Sequence, residues 1–127
     1  MIVVDTSALM AVVLDEPAAA ACSEVIAQAD AIVVSAGTLA EALIVAGRRN
    51  VGPAMQRLIR GIGCQVVPVT EHDAFEVARA YARWGSGVHP AGLNYGDCFA
   101  YALAEQRACP LLFVGEDFTK TDIAKAG

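Results

Sequence analysis

Four short apolar runs, "IVV" (2–4), "AIVVS" (31–35), "QVVPV" (65–69) and "LLFV" (111–114), are separated by much longer helix-forming stretches. Strands spaced this way cannot be joined by hairpins, so each connection is a crossover. Crossovers through helices give a mostly parallel sheet with helices on both faces, and their right-handed sense is nearly obligatory. The predicted architecture is therefore three-layer α/β/α around a mostly parallel central sheet of four strands. A fifth strand after Asp122 is not relied on, because little chain follows "TDI". In such sheets the binding crevice lies beyond the carboxyl ends of the strands, and chemistry is sought there.

The intervening segments carry helix signals. Ser7 stands before an apolar helical run and is a candidate N-cap. Pro17 precedes the alanine-rich stretch "AAAACSEVIAQAD", and Pro53 opens "GPAMQRLIRGIG". Thr70 with Asp73 three residues on reads as a capping box, and Asn94 can cap the helix carrying Asp97. Pro68 predicts that the third strand ends early or lies at the sheet edge.

The 127 residues fit one domain spanning 1–127, and 56% hydrophobic content is enough to bury a core. No charge-free apolar run approaches the roughly 18 residues of a membrane span. The N-terminus lacks a basic region and is interrupted by Asp5, unlike a signal peptide, so a cytoplasmic protein is expected. The four cysteines form no C-x-x-C pair and lie in or beside apolar stretches, which reads as free thiols rather than a zinc site. The net charge is −5; all nine basic residues fall at or after Arg48, and the first 47 residues hold six acids and no base. A polyanion would not be held by overall charge. It needs a local basic patch, or a metal that reverses the sign of an acidic site.

Four acids stand out. Asp5 directly follows the first strand and Asp117 closely follows the fourth, so both belong at strand carboxyl ends. Asp97 lies in the first turn of the helix before the last strand, with no Lys or Arg within nine residues on either side. Glu41 interrupts the apolar run "AGTLAEALIVAG". Gathering three or four carboxylates raises their pKa values and destabilises the fold unless a counter-charge is present. Mg²⁺, or Mn²⁺ in its place, suits an all-oxygen donor set. Thr6 and Ser7, beside Asp5, could orient a ligand or a metal-bound water. Such a site at a strand-end crevice suits phosphoryl or phosphodiester chemistry.

The segments "VVDTSAL", "AEAL", "LNYGDCFAYALA" and "FVGEDFTKTDI" together resemble PIN-domain ribonucleases, specifically the VapC-type toxins of toxin–antitoxin pairs, over nearly the whole chain. The resemblance implies a PIN-like fold and a Mg²⁺- or Mn²⁺-dependent endoribonuclease whose acidic site is Asp5, Glu41, Asp97 and Asp117. Asp5 and Asp97 are its foremost metal ligands and Thr6 its supporting hydroxyl. It also implies a homodimer silenced by a VapB-like antitoxin. From the charge pattern, a basic residue of that partner is expected to enter the acidic crevice, with an apolar stretch laid over the early helices. Glu116 stands where many relatives have Asn.

Among the remaining polar residues, Lys120 is the candidate phosphate contact near Asp117. Arg48 and Arg49, with Arg57 and Arg60, form a candidate phosphate-binding edge. His89 and Trp84 read as a solvated loop residue and a packed one, and Asp122 as a solvated tail acid. Two other classes remain open on the residues alone: a receiver-like Mg²⁺-binding phospho-acceptor, and a catalytically silent binding protein that keeps only the fold. A haloacid-dehalogenase-like phosphatase is disfavoured, because the D-x-D it needs reads Asp5-Thr6-Ser7.

Overall fold

The computed structural model describes all residues from Met1 to Gly127. The strands are β1 (Ile2–Val4), β2 (Ile32–Ser35), β3 (Gln65–Val67) and β4 (Leu111–Leu112). The helices are α1 (Thr6–Val13), α2 (Ala19–Gln28), α3 (Ala36–Arg48), α4 (Gly52–Gly61), α5 (Glu71–Trp84) and α6 (Tyr95–Arg107). The sheet is wholly parallel in the order β3-β2-β1-β4.

Side-chain alternation along the strands divides the core in two. Val3, Val33 and Leu111 face one layer, which holds Trp84, Leu93, Tyr101 and Phe118 from α5, α6 and the loops beside them. Ile2, Val4, Ile32, Val34 and Leu112 face the other, packed against Leu9, Cys22, Ala42 and Met55 of α1 to α4. Both faces are buried, which is why the central strands read as unbroken apolar runs rather than alternating ones. β3 is an edge strand with Gln65 and Val66 exposed, and it stops before Pro68, as that proline predicts.

The chain steps from β1 through β2 to β3, then returns across the sheet to place β4 on the other side of β1. The direction of winding reverses between β1 and β4. At such a switch point the connecting segments leave to opposite faces and open a crevice at the strand ends. Asp5 ends β1 and Asp117 follows β4, so both border it.

The tail takes a course intermediate between coil and strand. The Leu111 amide donates to Ala124 O at 2.9 Å and the Ala126 amide to Leu111 O at 2.9 Å. A single parallel bridge, Leu111 to Lys125, results. No fifth strand forms, yet the outer edge of β4 is covered.

Leu9 is 1% exposed and packs α1 against the sheet. Leu9→Ala is expected to lower stability by about 2–5 kcal/mol through lost transfer energy and a residual cavity. The urea midpoint should fall with the slope unchanged; a midpoint within experimental error of the parent would contradict this core assignment.

Candidate active site

Each acid reaches the crevice by a different route. Asp5 is the N-cap of α1, a role expected of Ser7. Its Oδ2 accepts from the Ser7 amide at 3.0 Å and from the Ser7 hydroxyl at 2.7 Å. Ser7 Oγ in turn accepts from the Val114 amide at 3.0 Å, joining the end of β1 to the start of the Asp117 loop. Ser7 therefore orients Asp5 rather than capping the helix. Asp5 Oδ1 is buried and has no partner.

Asp97 is held at the front of α6 by a capping box. Its Oδ2 accepts from the Asn94 amide at 3.0 Å, and Asn94 Oδ1 accepts from the Asp97 amide at 2.8 Å. This leaves Asp97 Oδ1 unengaged. The box satisfies two of the helix's unpaired amides, and the positive end of the helix favours the acid.

Glu41 projects from α3, and its Oε1 accepts from the Thr6 hydroxyl at 2.6 Å. Its other oxygen lies against Gly96, where a Cβ would overlap the carboxylate. The glycine one residue before Asp97 thus makes room for Glu41 beside it. Asp117 lies on the exposed loop after β4.

Burial and mutual repulsion show in the titration of this group. Burial pushes the Asp5 carboxyl up to about 6; the Ser7 hydrogen bonds oppose that shift, and the charge of Glu41 adds to it. Asp97 is pushed up to about 7, first by burial, then by the charges of Asp5, Asp117 and Glu41. Asp97 is therefore in electrostatic reach of the other three acids, and Asp5 of Glu41. Neither of the protein's two ion pairs, Arg79–Glu76 and Arg83–Asp122, involves any of them. As they stand, no three His, Cys, Asp or Glu side chains close on a common point, in keeping with like charges that nothing offsets.

The donor set fits a hard divalent cation. It is all oxygen, and it includes a buried carboxylate oxygen with no protein partner. Asp5, Glu41 and Asp97 share one pattern: one oxygen is tied to the protein and the other is left free.

Other sequence candidates fall elsewhere. Arg48 and Arg49 end α3, roughly 10 Å further along the helix axis than Glu41, and the helix runs away from the crevice. Both are exposed, so any phosphate-binding edge they form lies apart from the acids. Lys120 is exposed on the Asp117 loop. Glu116 accepts from the Thr119 hydroxyl within its own turn. His89 is not simply solvated: its ring meets Trp84 edge-on at 4.7 Å, and its Nδ1 accepts from the Ala91 amide. Asp122 is not a free tail acid, since Oδ1 accepts from the Tyr101 hydroxyl at 2.5 Å. Gly96 and Tyr101 were missed as contributors. The "YGD" ahead of an apolar helix was the only signal for the glycine.

The PIN domain family model matches residues 2–124. This chain belongs to the PIN-domain family, among the VapC ribonucleases. It is 43% identical over 128 residues to Ribonuclease VapC28 of Mycobacterium tuberculosis, covering 98% of this chain and 96% of that one. It is 41% identical over 125 residues to Ribonuclease VapC of Mycolicibacterium smegmatis, covering 96% and 97%. In fold it is similar to Mycobacterium tuberculosis VapC20, described as a sarcin-ricin loop cleaving toxin, with a TM-score of 0.81 at 16% identity over 98% of both chains. It is also similar to a chain of a toxin-antitoxin complex from Klebsiella pneumoniae, with a TM-score of 0.71 at 16% identity over 96% and 93%. The PIN-domain architecture and the parallel sheet expected from the sequence are both present. A receiver-like acidic pair after β1 is absent, because Thr6 follows Asp5 and its hydroxyl is bonded to Glu41.

Gly96→Ala is expected to displace the Glu41 carboxylate rather than unfold the protein, because the group in the way is the end of a flexible side chain. Alanine also favours the helix, by less than the roughly 1 kcal/mol of an interior site because Gly96 lies in the first turn. The thermal midpoint should hold or rise while any metal-dependent activity falls. An active Gly96→Ala protein would show that Glu41 needs no such space.

Asp5 and Asp97 bind protons more tightly in the folded protein than in the unfolded chain, where the ordinary value is 3.8. Their contribution to metal-free stability is fully present below about pH 4 and is lost as pH rises through about 6 and 7. Asp97→Asn keeps an oxygen for the Asn94 amide and removes the charge. In metal-free buffer near pH 7.5 it should raise the thermal midpoint by a few degrees and flatten the pH dependence between 4 and 7. A lower midpoint would contradict the repulsion.

Proposed function

We propose that this protein is an endoribonuclease, the toxin of a toxin–antitoxin pair, and that it cleaves RNA with Mg²⁺ or Mn²⁺ held by its acidic crevice. The observation that carries the reading is the set of three carboxylates with one oxygen tethered and one free, grouped with Asp117 at the β1–β4 switch point. The substrate class follows from relatives named as ribonucleases at 43% identity over nearly the full chain.

Asp5 and Asp97 hold the ion, with Glu41 and Asp117 completing the site. When bound, the ion polarises a phosphoryl oxygen and lowers the pKa of a bound water. The chain's own residues set the stage for that. Ser7 fixes the Asp5 carboxylate through Oδ2 and leaves Oδ1 without a protein partner. Asn94 does the same for Asp97, and Thr6 keeps Glu41 from turning away. Lys120, exposed three residues after Asp117, is the proposed phosphate contact. Because no Lys or Arg pairs with the four acids, the site stays anionic until a cation enters.

The partners are read from the acidic crevice and from separate apolar surfaces. A VapB-like antitoxin inserts a basic side chain among the acids, a guanidinium being the best complement. Its apolar anchor lies over the early helices, where Val12, Ile26, Leu58 and Ile62 line an open groove between α1, α2 and α4. The antitoxin reading is supported by a structural neighbour described as a toxin-antitoxin complex. A homodimer is supported by exposed Tyr81, Tyr95 and Ile44, which border two adjoining apolar hollows that share Tyr95 and Phe99, since contiguous exposed apolar surface marks interaction sites. No helix is long and apolar enough to cross a membrane, and the proposed RNA substrate supports a cytoplasmic location.

The purified protein is expected to cleave RNA with Mg²⁺ or Mn²⁺, leaving 5′-phosphate and 3′-hydroxyl ends, and to lose activity in EDTA. Asp5→Asn should reduce the rate at least a hundredfold while remaining folded. Cleavage that persists in EDTA, or products ending in a 2′,3′-cyclic phosphate, would remove the metal from the mechanism. A folded wild-type protein that cleaves no RNA would leave the silent binding protein as the better account.

A further inference from the structure

Between Val114 and Asp122 the loop that carries Asp117 is fixed at three points, and just beyond it Ala124 O and the Ala126 amide pair with Leu111. At its start, the Val114 amide donates to Ser7 Oγ at 3.0 Å, the same hydroxyl that holds Asp5. Beside Asp117, Phe118 is 1% exposed and packs on Phe113 with ring centroids 5.1 Å apart. At its end, Asp122 accepts from the Tyr101 hydroxyl. The remaining bonds, from the Thr119 and Thr121 hydroxyls to Glu116 O and Phe118 O, lie within the loop. They shape it without saying where it stands.

Tyr101 links the loop to the rest of the site. It lies four residues after Asp97 on α6, so the two side chains leave the same face of that helix. Its ring is 1% exposed, and its hydroxyl accepts from Trp84 Nε1 at 2.9 Å. Glu105 Oε2 stands 3.4 Å away and Asp122 Oδ1 2.5 Å away. The hydroxyl has one proton to give, and the shorter contact takes it. Burial, and then the bond to Asp122, raise the pKa of this phenol, so it remains a donor across the physiological range. The Arg83–Asp122 pair at 3.5 Å joins side chains about half exposed and adds little.

We propose that Tyr101 and Asp122 are a positioning pair: by holding Asp122, the Tyr101 hydroxyl fixes the far end of the 114–122 loop and so sets where Asp117 stands relative to Asp97. The inference rests on the ribonuclease reading of the acidic crevice for its functional consequence. Asp122 belongs to neither the metal nor the substrate; it transmits the position of α6 to the loop. Ser7 performs the matching task at the near end, so each end of the loop is tied to a side chain that neighbours another acid.

The test compares wild type, Tyr101→Phe, Asp122→Ala and Asp122→Asn as full-length proteins. Three readouts are taken: amide hydrogen exchange across residues 114–122, Mn²⁺ binding by calorimetry, and the Mg²⁺ concentration for half-maximal RNA cleavage. Tyr101→Phe and Asp122→Ala should both speed exchange in this loop and weaken Mn²⁺ binding measurably, by less than the roughly 10–100-fold lost when a group bonded directly to a ligand is removed. The Mg²⁺ requirement should rise in parallel, with KM for RNA unchanged. Asp122→Asn keeps an oxygen for the hydroxyl and should restore all three. Should Tyr101→Phe fail to fold, because Trp84 Nε1 also loses its acceptor, Asp122→Ala decides. A loop that loosens without any change in Mn²⁺ affinity overturns the proposal, as does wild-type exchange in both variants. If wild type binds Mn²⁺ but cleaves no RNA, the ribonuclease reading fails, while the exchange and calorimetry still judge the pair.

Discussion

Burial of carboxylates in a half-dry crevice, with their mutual repulsion second, is the constraint to which the rest of this structure answers. Asp5 and Asp97 are buried, and both are pushed well above the ordinary carboxylate range. A protein selected for stability alone would pair such groups with lysine or arginine, or replace them. Here the cost is kept local. Each carboxylate has one oxygen satisfied by a short polar group, which limits the desolvation penalty to the other. The acids sit at the sheet's switch point, where two strands end and a helix begins, so they share a crevice without sharing an element. The two apolar layers on either side then supply the stability that the crevice withholds.

Much of this was legible in the sequence, for local reasons. The alternation of short apolar runs with helical stretches gives the parallel sheet, and Pro68 marks its edge. Thr70 with Asp73, and Asn94 with Asp97, are capping boxes because both partners lie three residues apart. Asp5 and Asp117 could be placed at strand ends by position alone, and Glu41 by the oddity of a charge in an apolar run. The family resemblance supplied the grouping of the four, which periodicity could not.

What remained hidden depends on contacts distant in the chain. Ser7 looks like a helix cap; only the fold reveals that it bonds Val114, 107 positions away. Thr6 and Glu41 are separated by 35 residues and Tyr101 and Asp122 by 21. A tail aspartate is solvated in most chains, and nothing near Asp122 in sequence announces a buried tyrosine. Gly96 was visible as a helix-start residue, but the reason for it, the carboxylate of another helix, was not. Arg48 and Arg49 show the opposite relation. They are close in sequence to Glu41, yet a helix running away from the crevice takes them to its far end.

The chemistry of the tethers completes the logic. The groups that hold Asp5, Glu41 and Asp97 are two hydroxyls and backbone amides. An ammonium or guanidinium in the same places would hold a carboxylate more strongly. It would also offset the negative charge and compete with any cation for the free oxygens. Neutral donors orient the carboxylates and leave their charge intact. The uneven spread of charge along the chain, with no base before Arg48, is then a condition of the site rather than an accident of composition. Two of the four acids and both tethering hydroxyls come from that base-free stretch. The nearest basic residues in sequence to the other two, Lys120 after Asp117 and Arg107 after Asp97, lie on an exposed turn and at the opposite end of α6. A crevice built this way can accept a cation from solution or a basic side chain from a partner, and the two compete for the same oxygens. Activity and its restraint would then be alternative occupancies of one set of carboxylates.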